Sequence, residues 1–323
     1  MKDFDIAIAG ELNLDVILYG LPTEMPTERE LLASSFGATL GGSSSIVAHN
    51  AATLGAGVAF TSLIGNDEFG RIALDRLVAA GVDVSTVVRH SDAASGITVI
   101  LPHGDQRHML TFAGTIADLT IAHLDFDFLA RARHLHLSSL YLQRGLHAGL
   151  PEFLRRLKRA GLTISLDTND DPEDRWGDPL PEVLIHVDVF LPNEDEICRM
   201  TGRRGLNDAV QALPVKPPVI AVKRGRHGAR VYEHGSGIDV APLVVTPVDT
   251  IGAGDSFDAG FLCAYLLSKD AVTCARAGNI TGALSTQSAG GTEAFRDQAL
   301  RETFLGEHRF FDLLGGGNAD IRA

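Results

Sequence analysis

Short apolar runs alternate with longer helical patterns along this chain, and that alternation limits its fold more than any other feature. FDIAIAG (4–10) is a continuous apolar run that ends at a glycine, which is typical of a buried strand. The spacing of apolar residues predicts helices over 43–56 and 66–81, with one strand (58–65) between them. Because the alternation returns after residue 130, we expect an α/β fold with a mostly parallel central sheet wrapped by helices.

Two stretches, roughly 13–40 and 95–114, do not follow this alternation. The first is interrupted by prolines, and the second reads as two extended segments around a turn. Together they predict a small sheet separate from the main one, which is either a surface hairpin with its loop or a lid that closes over a substrate. The rest of 1–312 is expected to form one domain with it, and the glycine-rich end, 313–323, is expected to be a flexible tail.

Charge and composition exclude several kinds of partner. The 323-residue chain has a formal net charge of −13, which would repel nucleic acids and anionic membranes. No run approaches the roughly 18 apolar residues of a membrane-spanning helix, and acidic residues come too early for a signal peptide. The cysteines lack the spacing of a disulfide framework or a zinc site. We therefore expect a cytoplasmic protein without nucleic-acid or membrane partners.

The strongest chemical signal is VDTIGAGDSFDAGFLCAYL (248–266), in which a glycine-rich turn runs directly into a helix. Gly252 and Gly254 allow backbone to approach a ligand closely, and the amides at the start of a helix favour an anion. A carboxylate at Asp255 would repel that anion unless it faces a hydroxyl about to attack a phosphate. Taken alone, the turn fits equally well a simple strand-to-helix connection in which Asp255 caps the helix.

Two other phosphate-binding motifs do not fit this turn. A dinucleotide fingerprint needs a third glycine where Phe257 stands, and a Walker loop needs a Gly-Lys dipeptide, which the chain lacks.

DTIGAGDSFDAGF (249–261) is similar to the C-terminal signature of the PfkB (ribokinase-like) carbohydrate kinases, and 41–70 resembles that family's N-terminal signature. GELNLD (10–15), PNEDE (192–196) and VKRGRHGA (222–229) match landmarks between and before them. The resemblance spans nearly the whole chain. It implies a ribokinase-like α/β/α sandwich with a small β-sheet lid, an ATP- and Mg²⁺-dependent kinase, and in some members pairing of the lids into a homodimer.

The resemblance also implies roles for individual residues. Asp255 matches the catalytic base, and Asp249 lies where some members hold a monovalent cation such as K⁺. The anion hole is matched by Gly252, Ala253 and Gly254. The sugar ligands and the floor of their pocket are matched by Asn13, Asp15, Gly41 and Gly42. The nucleotide side is matched by Asn193, Lys223, Gly225, Gly228 and Asn279, and Mg²⁺ is served, largely through water, by Glu196.

Two further residues are candidate substrate ligands. Arg107, on the predicted lid, could meet an anionic group of the substrate, although an isolated lid arginine is more often solvated. Asn169 lies in SLDTNDDPEDRW (165–176), which resembles the DxNxRxxW stretch of some sugar kinases. Asp15 follows a buried strand and should lie at the carboxyl edge of the sheet, where open α/β folds bind ligands.

The sequence departs from the family pattern at the substrate side. Ile46 stands where many members have asparagine, and Ser43 stands where ribokinases have lysine. Ribose in its usual pose is therefore less expected, and a deoxy sugar, a sugar acid held by Arg107, or a nucleoside whose base meets Ile46 would each fit as well. We therefore expect a sugar kinase, with a nucleoside kinase or a catalytically silent ligand-binding regulator as alternatives. The intact Asp255 argues against the silent protein.

Overall fold

The computed structural model describes residues 2–103, 106–233 and 235–315. In these ranges the strands are β1 (Phe4–Ala9), β2 (Asn13–Tyr19), β3 (Ser35–Gly41), β4 (Val58–Thr61), β5 (Leu63–Gly65), β6 (Val88–His90), β7 (Gly96–His103), β8 (Gln106–Phe112), β9 (Ala132–Ser138), β10 (Thr163–Asp167), β11 (Val189–Phe190), β12 (Val219–Lys223), β13 (Ala229–Glu233) and β14 (Ser236–Val240). The α-helices are α1 (Ser43–Thr53), α2 (Glu68–Ala79), α3 (Thr115–Asp118), α4 (Phe126–Leu129), α5 (Arg144–His147), α6 (Leu150–Arg159), α7 (Leu180–Leu184), α8 (Glu194–Thr201), α9 (Leu206–Ala212), α10 (Ala253–Leu266), α11 (Ala271–Ser285), α12 (Glu293–Arg296), α13 (Gln298–Glu307) and α14 (Phe310–Leu314).

An eight-stranded sheet in the order β14-β13-β12-β11-β10-β9-β1-β4 forms the centre of the fold. The strands from β12 to β4 run parallel, and only β13 and β14 are antiparallel to their neighbours. This confirms the predicted, mostly parallel sheet. The chain passes from β1 to β4 on one side and later returns to β9 on the other. The carboxyl ends of two such strands form a crevice, which is where open α/β sheets bind ligands.

Side chains alternate between the two faces of the sheet, and helices cover both faces. On one face Ile6 and Ile8 join a core with residues of α1, α10 and α11. On the other face Ala7 and Ala9 join a core with residues of α6 and α7. The result is the predicted sandwich of a sheet between two helical layers.

Beneath α10 the surface of the sheet is polar. The Ser165 hydroxyl on β10 lies 2.7 Å from Nε2 of His134 and 2.8 Å from Nδ1 of His136, both on β9. All three residues are buried, and burial lowers the pKa of His134 to about 3, so that this ring is neutral at pH 7. Asp167 ends β10 on the same face as Ser165. A row of polar side chains therefore leads under α10 to the carboxyl edge of the sheet.

The predicted small sheet is present as a second sheet in the order β3-β2-β7-β8. β2 pairs antiparallel with β3 and parallel with β7, and β7 pairs antiparallel with β8. Because β2 follows β1 after three residues, its first residues lie at the carboxyl edge of the central sheet. We call the sheet β3-β2-β7-β8 the lid.

Two boundaries differ from the sequence-based prediction. The single strand predicted over 58–65 is wrong, because β4 pairs with β1 whereas β5 pairs with β6 in a separate sheet, and the chain changes partner at Ser62. The tail predicted at 313–323 begins too early, because α14 continues to Leu314, which is buried in the core. Residues 316–323 lie outside the described residues. In the described ranges, no helix has both the length and the apolar character needed to cross a bilayer.

Candidate active site

The turn before α10 has the geometry of an anion hole. Gly252 has a φ of 71°, in the left-handed region that favours glycine, and a Cβ there would lie 2.4 Å from Cα of Gly291. Among the residues that the structure describes, no side chain caps this end of α10. The first amides of a helix have no partner within it. Ala253 N donates to the carbonyl of Thr250 at 3.3 Å, and the amides of Gly254 and Asp255 face an anion that approaches the carboxyl edge of the sheet.

Residues of α1 hold this turn in place. Asn50 Nδ2 donates to Ser256 Oγ at 2.9 Å and to the carbonyl of Gly291 at 3.0 Å. Ile46 is buried, and its Cδ1 lies so close to Gly291 that a Cβ there would come within 2.8 Å of it. This packing does not favour the alternative in which a nucleoside base meets Ile46. The side chain points from α1 into the packing beneath the anion hole and not into a pocket.

Asp255 lies in the first turn of α10 and is partly exposed. Burial and the nearby charge of Asp167 raise the pKa of the Asp255 carboxyl to about 6. The Lys223 ammonium and a hydrogen bond from Ser43 act in the opposite direction and lower this pKa. Asp255 is thus mostly ionised at pH 7, as a proton acceptor must be. Ser43, at the position where ribokinases have lysine, is hydrogen-bonded directly to the Asp255 carboxyl.

Asn169 meets the same group of side chains. Its Nδ2 donates to Ser43 Oγ and, at 2.9 Å, to Ser139 Oγ. The residue has a φ of 51°, a left-handed conformation that asparagine tolerates better than most residues. Asn169, two residues after β10, therefore contacts Ser43, which in turn is hydrogen-bonded to Asp255.

Asn13 and Asp15 are buried where β2 leaves the central sheet. Asn13 Nδ2 donates to Asp15 Oδ1 at 3.2 Å. Burial and the charge of Asp255 raise the pKa of Asp15 to about 7. A Cβ on Gly41 would lie 2.0 Å from Asp15 Oδ1, and one on Gly42 would lie 2.5 Å from Asn13 Oδ1. The absence of side chains at Gly41 and Gly42 therefore leaves room for those of Asn13 and Asp15. These four residues, all predicted to line the substrate pocket, form one cluster near Asp255.

Glu11 belongs to this site and was missed in the sequence. It is buried, and its carboxylate accepts hydrogen bonds from Ser44 Oγ at 2.6 Å, from Ser139 Oγ at 2.6 Å and from Gln143 Nε2 at 3.0 Å. Burial raises its pKa. Glu11 joins the ends of β1 and β9 to the start of α1. The signal that could have found it is a carboxylate directly after a buried strand, in GELNLD.

Lys223 lies below the anion hole in a buried cluster of charges. Its Nζ donates to Asp167 Oδ2 at 2.6 Å and to both carboxylate oxygens of Asp258 at 3.2 Å. A Cβ on Gly254 would lie 3.6 Å from that Nζ. Burial raises the pKa of Asp258, which also shares a hydrogen bond with Asp167. The ammonium is thus engaged by carboxylates beneath α10, and contact between Lys223 and a nucleotide stays a prediction.

The other predicted nucleotide and metal residues have roles in the fold. Asn193 and Glu196 form a reciprocal capping box at the start of α8, with Asn193 N donating to Glu196 Oε2 at 2.8 Å and Glu196 N to Asn193 Oδ1 at 2.8 Å. Asn279 Nδ2 donates to the carbonyl of Ala241 at 2.8 Å and so ties α11 to the end of β14. Gly225 and Gly228 both have positive φ around the turn after β12. Their contacts with nucleotide or metal stay predictions.

Of the remaining two candidates, Arg107 lies on the lid and Asp249 contacts it. Arg107 is exposed, and its Nη1 lies 3.4 Å from Thr250 Oγ1. The Asp249 carboxylate accepts a hydrogen bond from the Tyr19 hydroxyl at 3.0 Å. The lid is therefore closed over the loop that leads into the anion hole.

A carboxylate beside the start of a helix, under a lid at the edge of a parallel sheet, fits an enzyme that transfers a phosphoryl group to a small molecule. The family described as pfkB family carbohydrate kinase matches residues 3–298 of this chain. The chain belongs to that family, and the predicted enzyme class, an ATP-dependent carbohydrate kinase, is confirmed.

Individual relatives extend over nearly the whole chain. The 2-dehydro-3-deoxygluconokinase of Bacillus subtilis is 30% identical over 326 residues, covering 92% of this chain and 97% of the relative. A nucleoside kinase of Methanothermobacter thermautotrophicus is 27% identical over 281 residues, covering 85% and 87%. The crystal structure of an E. coli protein provisionally described as ribokinase II, in complex with ATP and Mg²⁺, has a TM-score of 0.80 at 25% identity and covers 94% of this chain and 100% of that one. The ribokinase-like fold is thereby confirmed.

The buried charge cluster leads to a prediction about stability. Lys223→Met leaves Asp167 and Asp258 buried without their cation, so the free energy of unfolding should fall by about 3–5 kcal/mol. Asp258→Asn should cost clearly less, because it leaves no buried charge without a partner and Lys223 keeps its 2.6 Å contact with Asp167. Urea denaturation at pH 7 measures both values. Equal losses in the two variants would contradict the view that the ammonium is the group on which the cluster depends.

Proposed function

We propose that this kinase transfers the γ-phosphoryl group of ATP to the hydroxymethyl group of a small sugar acid, with Asp255 as the base. The observation that carries the proposal is the Asp255 carboxylate in the first turn of α10, beside amides that have no partner within the helix. Because a carboxylate repels phosphate, it belongs there only if it faces a third group. The attacking hydroxyl is such a group.

In the proposed step, the acceptor oxygen forms a bond to the γ-phosphorus while the bond from that phosphorus to the β,γ-bridging oxygen breaks. ADP leaves with the electron pair, and the hydroxyl proton passes to Asp255. The amides of Gly252, Ala253 and Gly254 donate hydrogen bonds to the phosphoryl oxygens, where negative charge collects. The Lys223 ammonium beneath Gly254 adds positive potential at the same place.

The acceptor would lie between the lid and the carboxyl edge of the central sheet. Asn13 and Asp15 would bind its hydroxyls over the floor of Gly41 and Gly42, and Asn169 would bind from the side of β10. Strand pairing places Arg107 on the lid face that also carries Asp15, and its charge is close enough to lower the pKa of that carboxyl. A cation in this position favours an acceptor with a carboxylate. The 2-dehydro-3-deoxygluconokinase relative, named for such an acid, supports the same choice.

Mg²⁺ would neutralise charge on the phosphates of bound ATP. Asn193 and Glu196 are the residues proposed to serve it through water. Burial raises the pKa of Glu196, and the charge of Asp167 raises it further against the opposing charge of the Lys223 ammonium. In 2–103, 106–233 and 235–315 no three His, Cys, Asp or Glu side chains are placed to hold a metal together. Water and ATP oxygens would therefore complete its coordination shell.

Three further proposals concern the residues that border the nucleotide, a site for a monovalent cation and the location of the protein. Gly225, Gly228 and Asn279 are proposed to border the ATP site, because they surround the turn after β12 at the carboxyl edge of the sheet. A K⁺ ion near Asp249 would compete with the Tyr19 hydroxyl for the carboxylate. Comparing turnover in potassium and tetramethylammonium salts tests that role. Use of ATP supports a cytoplasmic location.

A nucleoside kinase is the second candidate, favoured by the nucleoside kinase relative, which is 27% identical. A catalytically silent regulator is disfavoured because Asp255 and the glycine turn are both intact.

The lid is also proposed to join two copies of the chain. Phe36, Leu110 and Phe112 are 75%, 56% and 56% exposed on the lid face opposite to Asp15, and a second copy of this apolar face would cover them. Sedimentation at micromolar concentration should give the mass of a dimer, and Phe36→Glu combined with Leu110→Glu should give a monomer. Leu32→Glu, at an exposed loop residue, is the control. A monomeric parent would contradict the proposal.

Asp255→Asn should lower kcat by about 10²–10⁴-fold, since the hydroxyl proton then has no acceptor. In the parent, kcat/KM should rise with pH through about 6, because the raised pKa of Asp255 leaves its carboxyl protonated and inactive at lower pH. Asp15, with a pKa of about 7, titrates on the same limb. Calorimetry of ATP binding to the variant is the control for folding. Turnover by Asp255→Asn at the parent rate would refute the role of base.

A panel of sugar acids, neutral sugars and nucleosides tests the acceptor. We expect phosphorylation of a sugar acid, and Arg107→Ala should raise its KM about tenfold through loss of one charged hydrogen bond. The same change at Arg89, which is exposed on β6, should leave KM unchanged. Preferred use of neutral sugars or nucleosides, with no effect of Arg107→Ala, would show that the acceptor is not an acid.

A further inference from the structure

The lid contacts the three residues that lead directly into the anion hole. The Tyr19 hydroxyl, at the end of β2, donates to Asp249 Oδ2 at 3.0 Å. Arg107 on β8 reaches the Thr250 hydroxyl. Ile17 on β2 and Ile100 on β7 form a small apolar cluster with Ile251. The lid thus contacts residues 249–251, and residue 252 begins the phosphate-binding turn.

The Asp249 carboxylate connects both walls of that turn. Its Oδ1 accepts from Ile251 N at 3.0 Å, and its Oδ2 accepts from Gly290 N at 3.1 Å. Gly291 follows Gly290 and lies against Gly252, and its carbonyl is held by Asn50. One carboxylate therefore orients the loop that enters the anion hole and the loop that supports it.

Of these three lid contacts, the one made by Tyr19 is both directional and close. The apolar cluster tolerates sliding, since dispersion contacts have little angular preference. The Arg107 contact is long and exposed, so solvent competes with it. Because an ionised carboxylate only accepts hydrogen bonds, the Tyr19 hydroxyl is the donor in this contact.

We propose that Tyr19 is a positioning residue that makes the geometry of the anion hole depend on closure of the lid, an inference that rests on the proposed phosphoryl transfer. When the lid closes over an acceptor, the hydroxyl completes the donors around Asp249 and fixes residues 249–252. When the lid opens, Asp249 loses that donor and the turn is held from one side only. The enzyme then binds phosphate best after the acceptor has been enclosed.

The first test separates catalysis from binding. Tyr19→Phe keeps the ring and removes the hydroxyl, and kcat should fall about tenfold, the value of one hydrogen bond to a charged group. KM for ATP and for the acceptor should each stay within about twofold, because in the proposed complex the Tyr19 hydroxyl contacts Asp249 and neither substrate. Tyr232→Phe is the matched control, since it removes a hydroxyl that donates to Asn207 Oδ1 at 2.7 Å between β13 and α9. An unchanged kcat in Tyr19→Phe overturns the proposal.

A double-mutant cycle asks whether Tyr19 acts through Asp249. In an Asp249→Asn background, Tyr19→Phe should lower kcat by less than about twofold, because the second oxygen that accepts from the hydroxyl is gone. Losses that simply multiply would show that the two residues act independently, and would overturn the mechanism.

A third measurement does not depend on knowing the acceptor. Amide hydrogen exchange over 249–256, measured with ATP alone, should be about fivefold faster in Tyr19→Phe than in the parent or in Tyr232→Phe. Equal exchange overturns the role of Tyr19 even if no acceptor has been found. A parent that phosphorylates nothing on the panel, but shows the faster exchange in Tyr19→Phe, instead overturns the proposed acceptor class.

Discussion

The contact of Gly252 with Gly291 is the constraint on which the rest of the site depends. A glycine in the left-handed region, with backbone 2.4 Å from where a Cβ would be, lets the chain turn sharply enough to start α10 at the carboxyl edge of the sheet. The first amides of α10 therefore face outward, and Asp255 lies in the first turn of this helix. Asn50 and Ile46 fix the contact from α1, so the N-terminal part of the chain decides the geometry of a motif near its C-terminal end.

Electrostatics then adjusts the carboxyl of Asp255, which this turn presents. Besides burial, Asp167 raises the pKa of Asp255 and Lys223 lowers it, so the two members of one buried ion pair act on this carboxyl with opposite signs. Moving either charge would change the pH at which Asp255 ionises. The cluster thus has two effects from one set of contacts: it ties β10 and β12 to α10, and it leaves Asp255 ionised near neutral pH.

Much of the fold was predictable because its signals are local. The period of apolar residues identified β1, α1 and α2 to within a few residues, and the breaks in that period identified the lid. The split of 58–65 into β4 and β5 was not predictable, since both halves are apolar and only their pairing partners differ. The glycine turn and Asp255 stand out as a candidate site only with the resemblance over the whole chain, because the turn alone fits a simple strand-to-helix connection equally well.

The sequence by itself determined which chemistry is available: a glycine turn, a carboxylate beside it and a glycine pair after the first strand. Only the tertiary structure decided which polar groups meet. Lys223 pairs with two buried carboxylates that lie 56 and 35 residues away in the sequence, and Ile46 supports the loop around Gly291. Tyr19 and Asp249 are 230 residues apart and carry no shared motif. Contacts of that kind depend on how the lid and the central sheet pack, and local periodicity does not encode them.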